Sequence, residues 1–284
     1  MLETIRNNEQ GLLLLECGSV FPDTDTAESR LTAELTMNAM DKMGYAAMNL
    51  GAGDFSLGAD FLTSIKAEVK FPLISSNLIR KDSGKAFGES YIVRNMGEIR
   101  IAILGIMPSE AFKKISNPKY FENLEIIPPE AALQKLVPEA RKQADIVLLL
   151  SQCGFEETVL LINTVKGIDI AISSGSGKKG CLQHITQTPD ASNIFQAAPE
   201  ALGLGYLKLT YEDKKLVNRE NQMITLFNPA PAEDLVSNLF DEVRKMKTAL
   251  ERQEMEAEAK ELLKLKPEEY IKRMLEKQNG VITK

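Results

Sequence analysis

Three groups of residues in this chain have side chains that could do chemistry. The first lies in DIAISSGSGKKG, Asp169–Gly180, where an apolar run opens into Gly and Ser and then Lys178 and Lys179. The second is Cys17, Cys153, Cys181 and His184, the last two spaced as Cys-x-x-His. The third is Ser19 with the acids Glu16, Asp23, Asp54 and Asp169. A phosphate-cradling loop would need G-x-x-x-x-G-K-[ST], with amides around the phosphate, a lysine on its outer oxygens and a hydroxyl on magnesium. Here Gly177-Lys178 is followed by Lys179, and the first glycine's place is held by Ile172. The motif fails at both positions, which leaves a flexible loop whose Lys178 and Lys179 are weak anion-binding candidates. Three thiolates and one imidazole would suit tetrahedral zinc. Only Cys181 and His184 have ligand-like spacing, and the competing reading makes Cys17 and Cys153 small buried residues in tight turns. A Cys17–Cys153 disulfide is a further alternative. Ser19 lacks a base for nucleophilic work, since His184 is the only histidine and no G-x-S-x-G elbow surrounds the serine.

Composition narrows the field. With one histidine, a mechanism that needs several imidazoles is excluded, and three cysteines do not make a disulfide scaffold. The net charge of -6 argues against a nucleic-acid face. No apolar run is long enough to span a membrane. The opening MLETIRNNEQ carries no apolar leader, which reads as cytoplasmic for the chain as written.

The elements that must position these residues alternate. Strands are expected at Leu12–Leu15, YAAMNLG, FPLISSNLI, DIVLLLS and GIDIAISS, with a hairpin over Tyr91–Met107 that turns near Asn95–Glu98. Helices are expected at Thr26–Met43, ended by Gly44, then from about Asp60, over Pro128–Ala144 and over Glu156–Thr164. SNIFQAA, LGYLKLTYE and NQMITLF read as closing strands. Strands separated by helices predict an α/β fold with a largely parallel sheet and an antiparallel portion toward the end. The prolines of NPAPAEDL mark a hinge, so the body covers 1–227 and a helical tail 228–284. In the tail Leu235, Leu239, Val243, Met246 and Leu250 form one apolar stripe, and Pro267 ends the long helix. The stripe fits either a tail folded over the body or a helix that self-associates or meets a protein partner.

Together, LLLLECGSVFP, MDKMGYAAMNLGAGDFSLGADFL, FPLISSNLIRKDSGKAF, YIVRNMGEIRIAILGIM, ADIVLLLSQCG and VKGIDIAISSGSG resemble, in order and spacing, the catalytic domain of the bacterial 5′-nucleotidase branch of the calcineurin-like metallophosphoesterases. The resemblance implies an α/β/β/α sandwich and, in the family, two metal ions held at strand ends that polarise phosphate and activate water. Position by position the ligands differ here. In ECGS, Ser19 stands where a bridging Asp is expected. In GAGD, Ala52 and Gly53 replace an Asn ligand and a catalytic His, and Asp54 keeps an acid. In SQCG, Gln152 replaces a His, and in SSGSG, Gly175 and Gly177 replace two more. The family's first motif, Asp-x-His on a first strand, has no counterpart, so an inner strand of the sheet is expected to be missing. The tail, a partner or a longer natural chain would fill that gap, and a longer chain of this family would be exported to the periplasm or beyond.

Gly, Ala and Ser offer no strong metal ligand and Gln only one neutral oxygen, so no cofactor is expected. The alternatives are zinc on the cysteines with His184, or manganese on a carboxylate site rebuilt from Glu16, Asp23, Asp54 and Asp169. The expected function is a degenerate, non-catalytic 5′-nucleotidase-like protein acting as a binding or assembly module. The alternative is a metal-dependent phosphoesterase.

Overall fold

The computed structural model describes residues 5–7, 11–174, 186–187, 193–196, 203–212 and 215–225, together with helical positions between 241 and 269. The chain divides into two compact units, Met1–Pro231 and Ala232–Lys284.

The first unit begins with β1 (Leu14–Glu16), α1 (Ala27–Met43), β2 (Tyr45–Asn49), α2 (Ala59–Glu68) and β3 (Leu73–Ile74). The three strands form a parallel sheet in the order β1-β2-β3. Helix α1 starts where the sequence places it. The Thr26 hydroxyl accepts from the Ser29 amide, and Gly44 closes the helix in the left-handed region at φ 75°.

There follow β4 (Leu78–Arg80), β5 (Tyr91–Met96), β6 (Ile99–Ile106), β7 (Leu124–Ile126), α3 (Pro129–Gln143), β8 (Ile146–Ser151), α4 (Phe155–Thr164), β9 (Ile170–Ser173), β10 (Thr186–Gln187) and β11 (Asn193–Gln196). The second sheet is six-stranded, ordered β10-β11-β9-β8-β6-β5. Its inner strands β6, β8, β9 and β11 run parallel, and the edge strands β5 and β10 antiparallel. A hairpin of β12 (Gly203–Glu212) and β13 (Lys215–Thr225) completes the described strands.

Three apolar clusters stack these pieces into four layers. Ala33, Met37, Leu62 and Ile65 of α1 and α2 pack on Met48 and Leu73 of the small sheet. Leu133, Val137 and Ala140 of α3, with Leu161 and Ile162 of α4, cover Ala102, Leu104, Val147, Leu149 and Ala171 of the large one. Between the sheets lie Ala47, Ile74, Ile103, Ile146, Leu148, Leu150 and Ile170. Alternate residues of β6 and β8 thus serve opposite faces. That is why IAILGI and IVLLL read as unbroken apolar runs rather than as polar–apolar alternation. The outcome is the α/β/β/α sandwich that the family resemblance implies.

Two expectations are corrected. The sheet is not single: strands in one βα series are divided between two sheets. FPLISSNLI is not one strand either, because β3 and β4 belong to different sheets. The break falls at Ser75, Ser76 and Asn77, all buried. Ser76 Oγ donates to Ser90 O and accepts from Gly105 N, while Asn77 Nδ2 donates to Met107 O and Ile127 O. These side chains satisfy backbone groups that the ladder leaves unpaired as the chain crosses between layers. The short β7, paired with β4, is not anticipated from the sequence at all.

In the second unit the described positions between 241 and 269 are helical. Met246 is exposed, whereas the side chains of Leu235, Leu239, Val243 and Leu250 lie outside the described residues.

Candidate functional site

The carboxyl ends of β1, β2, β6, β8 and β9 converge, as strand ends do in layered α/β folds. After β1 the chain turns sharply at Gly18 (φ 97°) and Ser19 (φ 65°), and Ser19 is the sole left-handed non-glycine residue in the described part. Two carboxylates hold this turn. Glu16 accepts from the amides of Cys17 (2.8 Å) and Gly18 (3.2 Å). Asp54, fully buried, accepts from Ser19 N, Val20 N and Gly51 N, each at 2.8 Å, and from the Phe21 amide. Burial pushes the Asp54 carboxyl up to about 6, with the four amides pulling the other way. Burial likewise raises Glu16 above the usual carboxylate range, against the pull of its two amides.

Ser19 and Gln152 meet above this base. Ser19 Oγ donates to Gln152 Oε1 (3.1 Å) and accepts from Gly53 N (3.2 Å). Gln152 Nε2 donates to Gly18 O (2.7 Å) and to Ser174 Oγ (3.1 Å). Ser19, Gly53 and Gln152, far apart in sequence, are therefore one bonded cluster, with Ala52 beside Gly53 in the short 3-10 turn Ala52–Phe55. Gly51 is what allows the close approach: a Cβ there would lie 2.3 Å from Ser19 Oγ and 2.8 Å from Gln152 Oε1. Gly175, Gly177, Lys178, Lys179, Cys181 and His184 lie outside the described residues.

The four acids weighed as a rebuilt metal site are not brought together. Asp169 precedes β9, at the opposite end of the sheet, where it pairs with Arg141 (2.5 Å) and accepts from Val147 N. Asp23 is exposed, Asp54 spends both oxygens on amides, and Glu16 spends one. Among the described residues no three His, Cys, Asp or Glu side chains cluster as metal ligands do. Cys17 and Cys153 are free thiols, which corrects the disulfide alternative. Cys17 lies in the core between the sheets and Cys153 against the layer under the helices, so the large sheet separates them. Burial raises both thiols, Cys153 to about 12, and neither is a thiolate at neutral pH.

Two participants escape sequence reading, Ser174 and Asn49. Both are polar residues at the carboxyl end of an apolar strand, and that is the only signal available. Asn49 is fully buried and ties the sheets together, its Nδ2 donating to Cys17 O (3.0 Å) and Ile106 O (3.1 Å). Its Oδ1 has no hydrogen-bond partner and lies against Gly105, where a Cβ would come within 2.2 Å. Asn49→Ala should lower unfolding free energy by about 2–3 kcal/mol, because two strand-end carbonyls lose their donor. Urea titration checks this, and a loss under about 0.5 kcal/mol, the size typical of surface changes, would refute the brace.

No family model matches the chain. A 5′-nucleotidase of Vibrio cholerae is 32% identical over 146 residues, covering 50% of this chain and 26% of that protein. The crystal structure of a 5′-nucleotidase precursor from Thermus thermophilus superposes with a TM-score of 0.73 at 21% identity, over 88% of this chain and 52% of the other. The calcineurin-like phosphoesterase YfkN of Bacillus subtilis gives 0.69 at 16% identity, over 88% of each chain. The chain is thus similar to the 5′-nucleotidase branch of the calcineurin-like phosphoesterases and shares the fold of these structures. It spans about a quarter of the length of the Vibrio cholerae relative. The bonded cluster of Ser19, Gly53 and Gln152 sits at positions where the family resemblance puts metal ligands.

Proposed function

We propose that this 5′-nucleotidase-like chain is a non-catalytic binding or assembly module. The observation that carries the reading is the Ser19–Gln152 contact. At places where the resemblance calls for an aspartate and a histidine, a hydroxyl and a carboxamide bond to one another and to backbone. Two divalent ions need several charged or imidazole ligands to stay bound and to activate water. Neutral oxygens already engaged within the protein supply no charge and are weak ligands for two divalent ions.

Metal analysis after dialysis against manganese or zinc, paired with a manganese-dependent assay on nucleoside monophosphates, tests this. The expected result is no stoichiometric metal in the strand-end cluster and no phosphate release above buffer. Near-stoichiometric manganese with phosphate release would overturn the proposal in favour of a metal-dependent phosphoesterase. Zinc lost on Cys181→Ser would instead assign a structural site to Cys181 and His184 and leave the strand-end reading intact.

A further inference from the structure

The β12–β13 hairpin is anchored through one strand and offers the other. Leu207, Leu209 and Tyr211 of β12 pack on the core between the sheets, with Leu15, Ile101 and Ile172. In β13, by contrast, Val217, Asn218, Arg219, Glu220, Asn221 and Gln222 are all exposed, Val217 at 51%. Successive side chains of a strand point to opposite faces, so a strand covered on one face alternates between buried and exposed. This run does not alternate. Among the described residues, no strand other than β12 pairs with β13. An exposed strand of this kind is an open sheet edge, a template for one further strand.

The sequence of the edge fits a second copy of itself in one register. Two antiparallel copies are related by a two-fold axis normal to the sheet. That axis keeps each side chain on its own face, so opposed residues differ by an even number of positions and one residue faces its own copy. Centring on Arg219 sets guanidinium against guanidinium, and centring on Glu220 sets carboxylate against carboxylate. Like charges directly opposed are destabilising. Centring on Asn221 avoids both. The two Asn221 carboxamides then face each other, each a donor and an acceptor. Glu220 opposes Gln222 of the second copy, whose NH2 donates to the carboxylate in a charge-assisted bond made twice. Glu220 already accepts from Asn218 Nδ2 at 3.0 Å, and a carboxylate has acceptor sites beyond that one. Arg219 opposes Met223, and Asn218 opposes Ile224. Residues 217–225 of each copy pair in this register. Centring on Asn218 or Gln222 shortens the ladder within Lys215–Thr225 and sets Glu220 against Leu216 or Ile224.

We infer that β13 pairs with β13 of a second copy in the antiparallel register centred on Asn221, which joins two hairpins into one continuous sheet. This rests on the assembly-module reading and names its surface and its occupant.

A single strand pairing falls at the small end of interfaces, so a Kd on the order of 10–100 µM is expected. Sedimentation equilibrium of the full 284-residue chain, from well below to well above that range, reads it. Two substitutions that add the same charge at adjacent exposed positions should act in opposite directions. Asn221→Lys sets lysine against lysine on the axis and should weaken association about 5- to 10-fold. Gln222→Lys sets lysine against Glu220 of the second copy, twice, and should tighten it about 3- to 10-fold. Asn221→Cys on a Cys181→Ser background checks the register, because the residue on the axis faces itself at the spacing a disulfide needs. A mild oxidant should crosslink that variant and leave Asn218→Cys uncrosslinked. A monomer throughout would overturn the inference and leave the edge to a strand of another polypeptide. Equal effects of the two lysine substitutions would overturn it by placing the contact on another surface, the helical tail included. A dimer that fails to crosslink at Asn221 would overturn it as well. Metal content and phosphate release do not depend on any of these outcomes, so this inference and the non-catalytic reading fail separately.

Discussion

Asp54→Ala should destabilise the first unit by about 3–5 kcal/mol, which lowers its melting midpoint by roughly 10 °C. The reason is what the carboxylate holds. Ser19 N, Val20 N and Gly51 N donate to it, and Asp54 is fully buried. An alanine would leave these amides without acceptors in a place water reaches poorly, and each orphaned group costs about 1–3 kcal/mol. Backbone relaxation recovers part of that sum, because the Gly18–Ser19 turn lies at the surface. Asp54→Asn keeps one acceptor oxygen but turns an NH2 toward backbone donors, so it should fall between wild type and alanine. Chemical denaturation of the three proteins orders them. An alanine variant within about 1 kcal/mol of wild type, the centre of the distribution for ordinary substitutions, would show that the amides find other partners.

The same residue gives a pH dependence with a defined sign. Its folded carboxyl lies at about 6, raised from 3.8, with burial the largest cause. A raised acid holds its proton more tightly folded than unfolded, so the unfolded state binds fewer protons between those two values. The contribution of Asp54 to stability is therefore greatest below the unfolded value and is lost as pH rises through the folded one. Across the window from about 4 to 6, wild type should lose stability relative to Asp54→Asn as pH increases. Parallel pH profiles for the two proteins would contradict the assignment.

How much of this could be seen in the sequence depends on whether the cause is local. Helix α1 is legible because Thr26, Gly44 and the spacing of its apolar residues are contained in one segment. The β5–β6 hairpin is legible for the same reason, with a two-residue turn at Gly97. The division into two sheets is not. Parallel strands buried on both faces have no alternation to tell which sheet they join. FPLISSNLI looks like one strand because its serines and asparagine are small enough for a ladder, and only their long-range bonds to Ser90, Met107 and Ile127 reveal a crossing. At the site, Ser19, Ala52, Gly53 and Gln152 could be located by their place in family motifs. That Ser19 and Gln152, 133 positions apart, bond to one another could not. Asp54 could be read as a loop acid, but its amide partners depend on a left-handed turn that no residue preference announces. Serine is an unusual occupant of that conformation.

Gly18→Ala should be the most damaging single-methyl change at the site, costing about 4 kcal/mol or more. Gly18 has φ 97°, so an alanine there is strained before any contact is counted. The added Cβ would also lie 2.4 Å from Asn49 O, 2.7 Å from Gly51 N and 3.1 Å from Leu50 C. All three are backbone atoms at the end of β2, and none can swing aside as a side-chain tip would. Relief would require separating the β1 and β2 ends, which stretches the bonds of Glu16 and Asp54 to the turn and the Asn49 bond to Cys17 O. Gly84→Ala is the control. Its φ is also left-handed, at 65°, but nothing lies within 4 Å of the added carbon, so it should cost only the backbone penalty of about 1 kcal/mol. Equal losses at the two positions would mean that the turn after β1 moves freely, and the close packing of strand ends that shapes the Ser19–Gln152 cluster would then not be what fixes its geometry.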